Sequence, residues 1–269
     1  MQAENSIQHH GFQQDHNFKI IDLKAGLRLN KRRLLFCIAL VTSTLAQFTA
    51  SAQLTVFNVS SSEISESRKI SVQQQFEIED VIESSTTLTY GLGRNWEAGI
   101  NVINLDFNPN NRHIEVNDTS MTKPFAPLVL ANSQKVFELN KTFSIGIGAV
   151  AGTNLTAHHQ RFVYYGYSNL VASVGSEEQY QFAAGPYISN HRYLGEGPVY
   201  GAQIAVDAGI WNEKFHLLGD WISGNHQKGK LSLGFEVFLS RRLPLSVGWQ
   251  RSNADGSQAA VVQLTLLAK

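Results

Sequence analysis

Long stretches of this chain alternate strictly between apolar and polar residues. From Lys69 to Asp80 it reads KISVQQQFEIED, which sets Ile70, Val72, Phe76 and Ile78 on one side and Ser71, Gln73, Gln75, Glu77 and Glu79 on the other. Successive side chains of a strand point to opposite faces, so a two-residue rhythm specifies β-strands with one apolar and one polar face. TTLTYGLG (86–93) puts Leu88, Tyr90 and Leu92 opposite Thr87, Thr89, Gly91 and Gly93, and WEAGINV sets Trp96, Ala98, Ile100 and Val102 against Glu97, Gly99 and Asn101. FSIGIGAVAG, EQYQFAAGPYIS, VYGAQIAVDAGI, KLSLGFEVFL, LPLSVGWQ and AAVVQLTLL continue the pattern. The phase is ambiguous near 125–139 and 161–175. No segment after residue 52 approaches the ~18 consecutive apolar residues of a membrane-crossing helix.

The rhythm gives roughly twelve strands, within a range of about 10–14. Connections alternate in length along the chain. Short ones fall at Gly93–Asn95, Leu139–Thr142, Gly175–Glu178, Trp211–Lys214 and Ser240–Arg242, and longer ones at 108–124, 156–161, 190–198, 223–229 and 252–258. Short turns on one side and longer loops on the other define an antiparallel transmembrane β-barrel. The faces agree. Tyr, Phe, Ala and Val dominate one, as lipid requires; Gly, Ser, Thr and Gln dominate the other, as a wet interior requires. Trp96 and Phe143 at one set of strand ends, and Tyr200, Trp221 and Trp249 toward the other, form the expected interfacial girdles, with Phe107 and Tyr165 nearby. Trp211 is out of phase with the lipid face of its strand.

The N-terminus supplies the route out of the cytoplasm. Lys31, Arg32 and Arg33 precede an apolar run, Leu34 to Ala46, and a small-residue stop, Ala50-Ser51-Ala52. A basic start, an apolar core and an A-x-A site make a cleavable secretory signal ending at Ala52. The expected organisation is an upstream extension (1–30), a signal peptide (31–52), a periplasmic segment (53–68) and a barrel (69–269), located in a bacterial outer membrane. Residues 1–52 hold six of the 22 Lys+Arg and three of the 22 Asp+Glu, which leaves 16 against 19. That slightly acidic balance argues against nucleic-acid binding. The one cysteine, Cys37, lies within the signal, so the exported part forms neither disulfides nor thiolate metal sites.

TLTYGLGRNWEAGINV (87–102), with its tight Gly-Arg-Asn turn, and LLGDWISGNH (217–226), an Asp-Trp-x-Ser-Gly strand end, resemble a broad group of outer-membrane barrels that includes transporters of aromatic-compound (phenol) degradation pathways. The resemblance implies passage of small nutrients and brings no catalytic residues. Many such barrels end in an aromatic residue read by the barrel-insertion machinery; this chain ends Leu266-Leu267-Ala268-Lys269.

The candidate lumen residues are Glu77, Glu97, Gln203, Asp207, Asp220, Lys230 and Glu236. Inward charges either select solutes or pair across strands, and Asp220 with Lys230 is one expected pair. His113, His158, His159, His191 and His226 fall in the longer loops beside Arg112, Arg161, Arg192 or Lys228, where basic groups could meet lipopolysaccharide phosphate. Their spacing fits no metal motif, and no cofactor is implied. The leading expectation is a passive channel for small-molecule solutes. The alternatives are a plugged structural or lipopolysaccharide-binding barrel and a rim hydrolase built from His158, His159, His191 and Ser223, although no G-x-S-x-G occurs.

Overall fold

The computed structural model describes residues 55–60, 63–156, 160–175, 179–211 and 214–267. The extension, the signal peptide with Cys37 and Ala52, and His158 and His159 lie outside these residues. Two short strands, β1 (Thr55–Val56) and β2 (Val59–Ser60), form a hairpin. Then follow β3 (Ile70–Ile78), β4 (Ile82–Gly93), β5 (Trp96–Asn108), β6 (His113–Ile114), β7 (Leu128–Glu138), β8 (Phe143–Asn154), β9 (Phe162–Val174) and β10 (Tyr180–Ser189). A one-turn helix α1 (His191–Leu194) precedes β11 (Tyr200–Trp211), β12 (Phe215–Ile222), β13 (Lys230–Ser240), β14 (Leu243–Ser252) and β15 (Gln258–Leu266).

All strands but β1, β2 and β6 join one antiparallel circuit. Each pairs with its neighbour in sequence, and β15 closes the ring on β3, with Gln263 opposite Gln75. The result is a closed barrel of twelve strands, as the alternation and loop lengths required. Closure leaves no free edge, the condition for crossing a membrane with strands. No helix among the described residues is long and apolar enough to cross one.

The solvent pattern is inside-out. Ile100, Ile147, Phe182 and Leu233 on the outer face are 53%, 48%, 49% and 50% exposed, while the inward Gln203, Glu236 and Gln263 are at most 1% exposed. A water-soluble sandwich shows the reverse, and a continuous apolar exterior needs a lipid partner. Trp96, Phe143, Tyr200, Trp221 and Trp249 all stand on that exterior.

Local geometry explains the short turns. Arg94 and Asn95 both have positive φ (55° and 59°), the conformation of a type I′ turn whose twist matches paired strands. The irregular phase near Trp211 has a backbone cause: the β11–β12 register shifts between Gly209 and Trp211, a bulge that offsets the alternation. In the ambiguous 161–175 segment, Tyr165 faces inward and is 9% exposed, not outward as the girdle reading placed it.

Residues 55–60 of the segment assigned to the periplasm are folded inside the barrel: Val56, Phe57 and Val59 are buried among the inward faces of β9 to β12.

Candidate functional site

The lumen is built by inward positions of all twelve strands, and its first structural feature is the β1–β2 hairpin, here the tongue. Phe57 and Asn58 form its tip. The Asp220 carboxylate on β12 accepts hydrogen bonds from the backbone N–H of Asn58 (2.6 Å) and Val59 (3.1 Å) and from the Asn58 side-chain amide (3.3 Å). That amide also donates to Ser232 on β13 (2.8 Å). The Phe57 ring lies over Gly234 and Gly248, where an added Cβ would come within 2.7 and 2.8 Å of its Cζ. These two glycines on β13 and β14 form a smooth seat that any side chain would fill. The base of the segment is tied elsewhere: Asn169 donates to the Ser60 carbonyl, Gln181 to the Glu63 carboxylate, and the Ser65 N–H to Glu97 at 2.8 Å.

The inward residues named from sequence all face the interior, but mostly as members of closed contacts. Glu97 holds Ser65. Gln203 accepts from the Tyr165 hydroxyl (2.5 Å) and donates to Asn169 (2.7 Å). Asp207 meets His216 Nδ1 at 2.6 Å, and Ser246 donates to Glu236 at 2.9 Å. The expected Asp220–Lys230 pair does not form. Asp220 is taken by the tongue, and Lys230 reaches past β14 and β15 to Glu77 on β3 (2.5 Å). Lys228, read as a solvated loop cation, likewise turns inward to Glu83 on β4 (2.7 Å).

These two lysine–glutamate pairs divide the open space. On the long-loop side lies a cavity of about 560 Å³, lined by Glu77, Glu79, Asp80, Glu83, Asp106, Glu115, Lys123, Lys228, Lys230 and neutral polar neighbours. Beneath it a slot of about 160 Å³ runs between the tongue and the wall of β3 to β5; Gln75, Ser85, Thr87 and Asn101 line it, and it shares Glu77, Glu83 and Lys228 with the upper cavity. A third cavity of about 190 Å³, lined by Glu63, Ser144, Ser173 and Gln181, opens at the short-turn end. The tongue and the 63–65 segment lie between it and the slot.

The slot's other wall, facing β3 to β5, is an aromatic cluster absent from the sequence reading. Tyr165 stacks on Tyr187 and on Tyr193 of α1 (ring centroids 5.6 and 5.2 Å), and His226 meets Tyr187 edge-on. The Asn190 side chain caps α1 by accepting from the Tyr193 N–H, which folds this loop into the barrel mouth. The single Tyr187 hydroxyl proton goes to the Ser223 carbonyl, so the Tyr oxygen accepts from His226 Nε2–H. His226 Nδ1 is then a buried acceptor without a partner among the described residues. Burial, followed by the nearby Lys228 charge, pushes the His226 pKa down to about 4. His226 is therefore not the solvated loop histidine expected.

Of the expected hydrolase residues, Ser223 and His191 are among those described, and each is bonded to backbone. The Ser223 hydroxyl accepts from the Ala202 N–H, and His191 contacts the Gly195 carbonyl. Among the described residues no group of three His, Cys, Asp or Glu is placed to hold a metal ion.

The fold defined by this ring is a closed, twelve-strand antiparallel β-barrel. Among solved structures it is similar to the KdgM porin, with a TM-score of 0.53 at 11% identity over 73% of this chain and 98% of that one. It is also similar to KdgM in complex with disordered oligogalacturonate, with a TM-score of 0.50 at 12% identity over 73% of this chain and 98% of that one. The NanC porin gives a TM-score of 0.50 at 10% identity, over 74% of this chain and 99% of that one. At these identities the likeness concerns the fold. No protein-family profile and no curated protein sequence matches the chain.

Proposed function

We propose that the protein is an outer-membrane channel for small hydrophilic solutes whose lumen is closed in this structure by its own N-terminal tongue. The observation that carries this reading is the pair of adjoining cavities inside the barrel, the upper one and the slot beside the tongue, which share Glu77, Glu83 and Lys228 at the ion pairs between them. A purely structural barrel of this size could fill that space with packed side chains. The porin-type fold supports the reading, and the apolar exterior suits a bilayer. The girdle residues, contacts with lipopolysaccharide and the insertion machinery belong to the same proposal. So does relation to the transporters of aromatic-compound pathways; the slot has a Gln, Ser, Thr and Asn side and an aromatic side with Phe57, Tyr165, Tyr167 and Tyr193. The stretch 217–226 that suggested that relation contains Asp220, which here holds the tongue.

The tongue also favours a second reading, a permanently plugged surface barrel. Planar-bilayer recordings on the refolded chain and on a variant lacking residues 55–60 separate the two. The channel reading expects rare or small openings from the full chain and steady conductance from the shortened one. Silence from both, with the shortened barrel folded, would overturn it in favour of the plug.

A further inference from the structure

We propose that the cavity at the long-loop mouth is a binding site for a small protonated amine that also carries hydroxyl groups. The inference rests on the channel reading in one respect: the ligand is taken to be a solute that the barrel admits.

Charge is the first reason. The two lysines of the constriction are committed to their glutamates. What remains on the cavity wall is Glu79, Asp80, Asp106 and Glu115 against Lys123. None of these four carboxylates has an ion-pair partner among the described residues. The walls are of low dielectric, so such an excess attracts cations and repels anions. A metal ion fits poorly, because no three acidic or imidazole groups among the described residues converge on a point.

Unmet hydrogen bonding is the second and independent reason. Gln250 faces inward from β14 and lines the cavity; it is 2% exposed, and neither its amide oxygen nor its amide nitrogen has a partner among the described residues. Asn104, also 2% exposed, donates to the Phe125 carbonyl, yet its side-chain oxygen is unpartnered. One Asp106 oxygen is in the same condition. Buried polar groups in folded proteins are almost always satisfied, so these atoms mark where a ligand completes the set. Their chemistry is specific. Gln250 needs a group that both donates and accepts, which a hydroxyl does. Asn104 and Asp106 offer only acceptors, which an ammonium with three donors matches. The volume of about 560 Å³ lies within the usual range for small-molecule sites.

Isothermal titration calorimetry on the detergent-refolded full chain tests this, with glucosamine, glucose and galacturonate as probes. Saturable binding of glucosamine is expected, with glucose about tenfold weaker and galacturonate weaker still. Asp106→Asn should weaken glucosamine about ten- to hundredfold and leave glucose nearly unchanged, the scale of a charge-assisted hydrogen bond. Gln250→Leu should weaken both sugars. Retained heat-modifiable gel mobility certifies that each variant is folded. Absence of saturable glucosamine binding, or glucosamine binding indifferent to both substitutions, overturns the proposal. Calorimetry reads binding and not conduction. A conducting barrel without glucosamine affinity therefore overturns this site alone, and a silent barrel that binds glucosamine overturns the channel reading alone.

Discussion

The Asp220 carboxylate accepts the backbone N–H of Asn58 at 2.6 Å, across 162 residues of sequence. One side chain on β12 thus holds the tip of the tongue, with two further donors from the same hairpin. Hydrogen bonds to a charged group contribute about 1.5–3 kcal/mol each. Asp220→Ala is expected to raise the time-averaged conductance by at least about tenfold, read in planar bilayers. Asp220→Asn, which keeps an acceptor oxygen but not the charge, should fall between. Equal conductance in all three forms would show that the tongue is held by other contacts.

Phe57 supplies the apolar half of the same attachment. It is 3% exposed, seated on Gly234 and Gly248. Removing a buried aromatic ring costs about 3–5 kcal/mol. Here the loss falls on docking of the tongue, because the barrel hydrogen bonds do not involve Phe57. Phe57→Ala should therefore leave thermal unfolding of the barrel within a few degrees of wild type. A thiol introduced at Asn58 should meanwhile react with a water-soluble maleimide much faster than in the Phe57-containing chain. A large loss of barrel stability with no gain in labelling would place Phe57 in the barrel core instead.

The Lys228–Glu83 contact lies where the two upper cavities meet. Lys228→Met leaves Glu83 without its cation at the narrowing. In the variant lacking residues 55–60, the reversal potential under a salt gradient should move toward cation selectivity. Some barrel stability, about 3–5 kcal/mol at most for a broken buried pair, should be lost with it, and Lys228→Met with Glu83→Gln should recover part of it. An unchanged reversal potential would remove this pair from the conduction path.

His226 gives a pH prediction with a definite sign. Its folded pKa of about 4 lies below the ordinary 6.5, so between these values the unfolded chain binds a proton that the folded loop does not. Its contribution to stability is complete above about pH 6.5 and is lost as the pH falls toward 4. A histidine-selective NMR titration should show no charging of His226 from pH 7 to 5. Proteolysis of the 223–229 loop should accelerate as the pH falls from 6 toward 4, and less so in His226→Gln. An imidazole titrating near 6.5 would contradict the buried geometry.

The barrel was legible because its signal is local. Alternation, tight Gly-Arg-Asn chemistry at 93–95 and unequal loops each act within a few residues, and lipid outside with water inside leaves no other reading. The phase of Glu77, Asp207 and Lys230 was legible for the same reason. Their partners were not. Lys230 meets Glu77 three strands away rather than Asp220 on the adjacent strand, and alternation fixes which face a residue takes, not which inward neighbour it reaches. The tongue was missed because Thr55–Ser60 is too short to show a rhythm, and its anchors lie on strands far along the chain. Tyr165 was misplaced because β9 carries aromatics on both faces, so hydrophobicity alone did not set its phase. His226 looked like a surface residue until α1 and Tyr187 covered it.

The tongue comes from the start of the barrel sequence, yet its seat is assembled from β12, β13 and β14 near the end. Until those strands are in place there is no Asp220, Ser232 or glycine pair for it to occupy. All four of these residues lie on three adjacent strands, so the socket is a property of one patch of wall and not of the closed ring. A single carboxylate and two bare glycines in that patch thus set whether the first residues of the barrel sequence rest inside it.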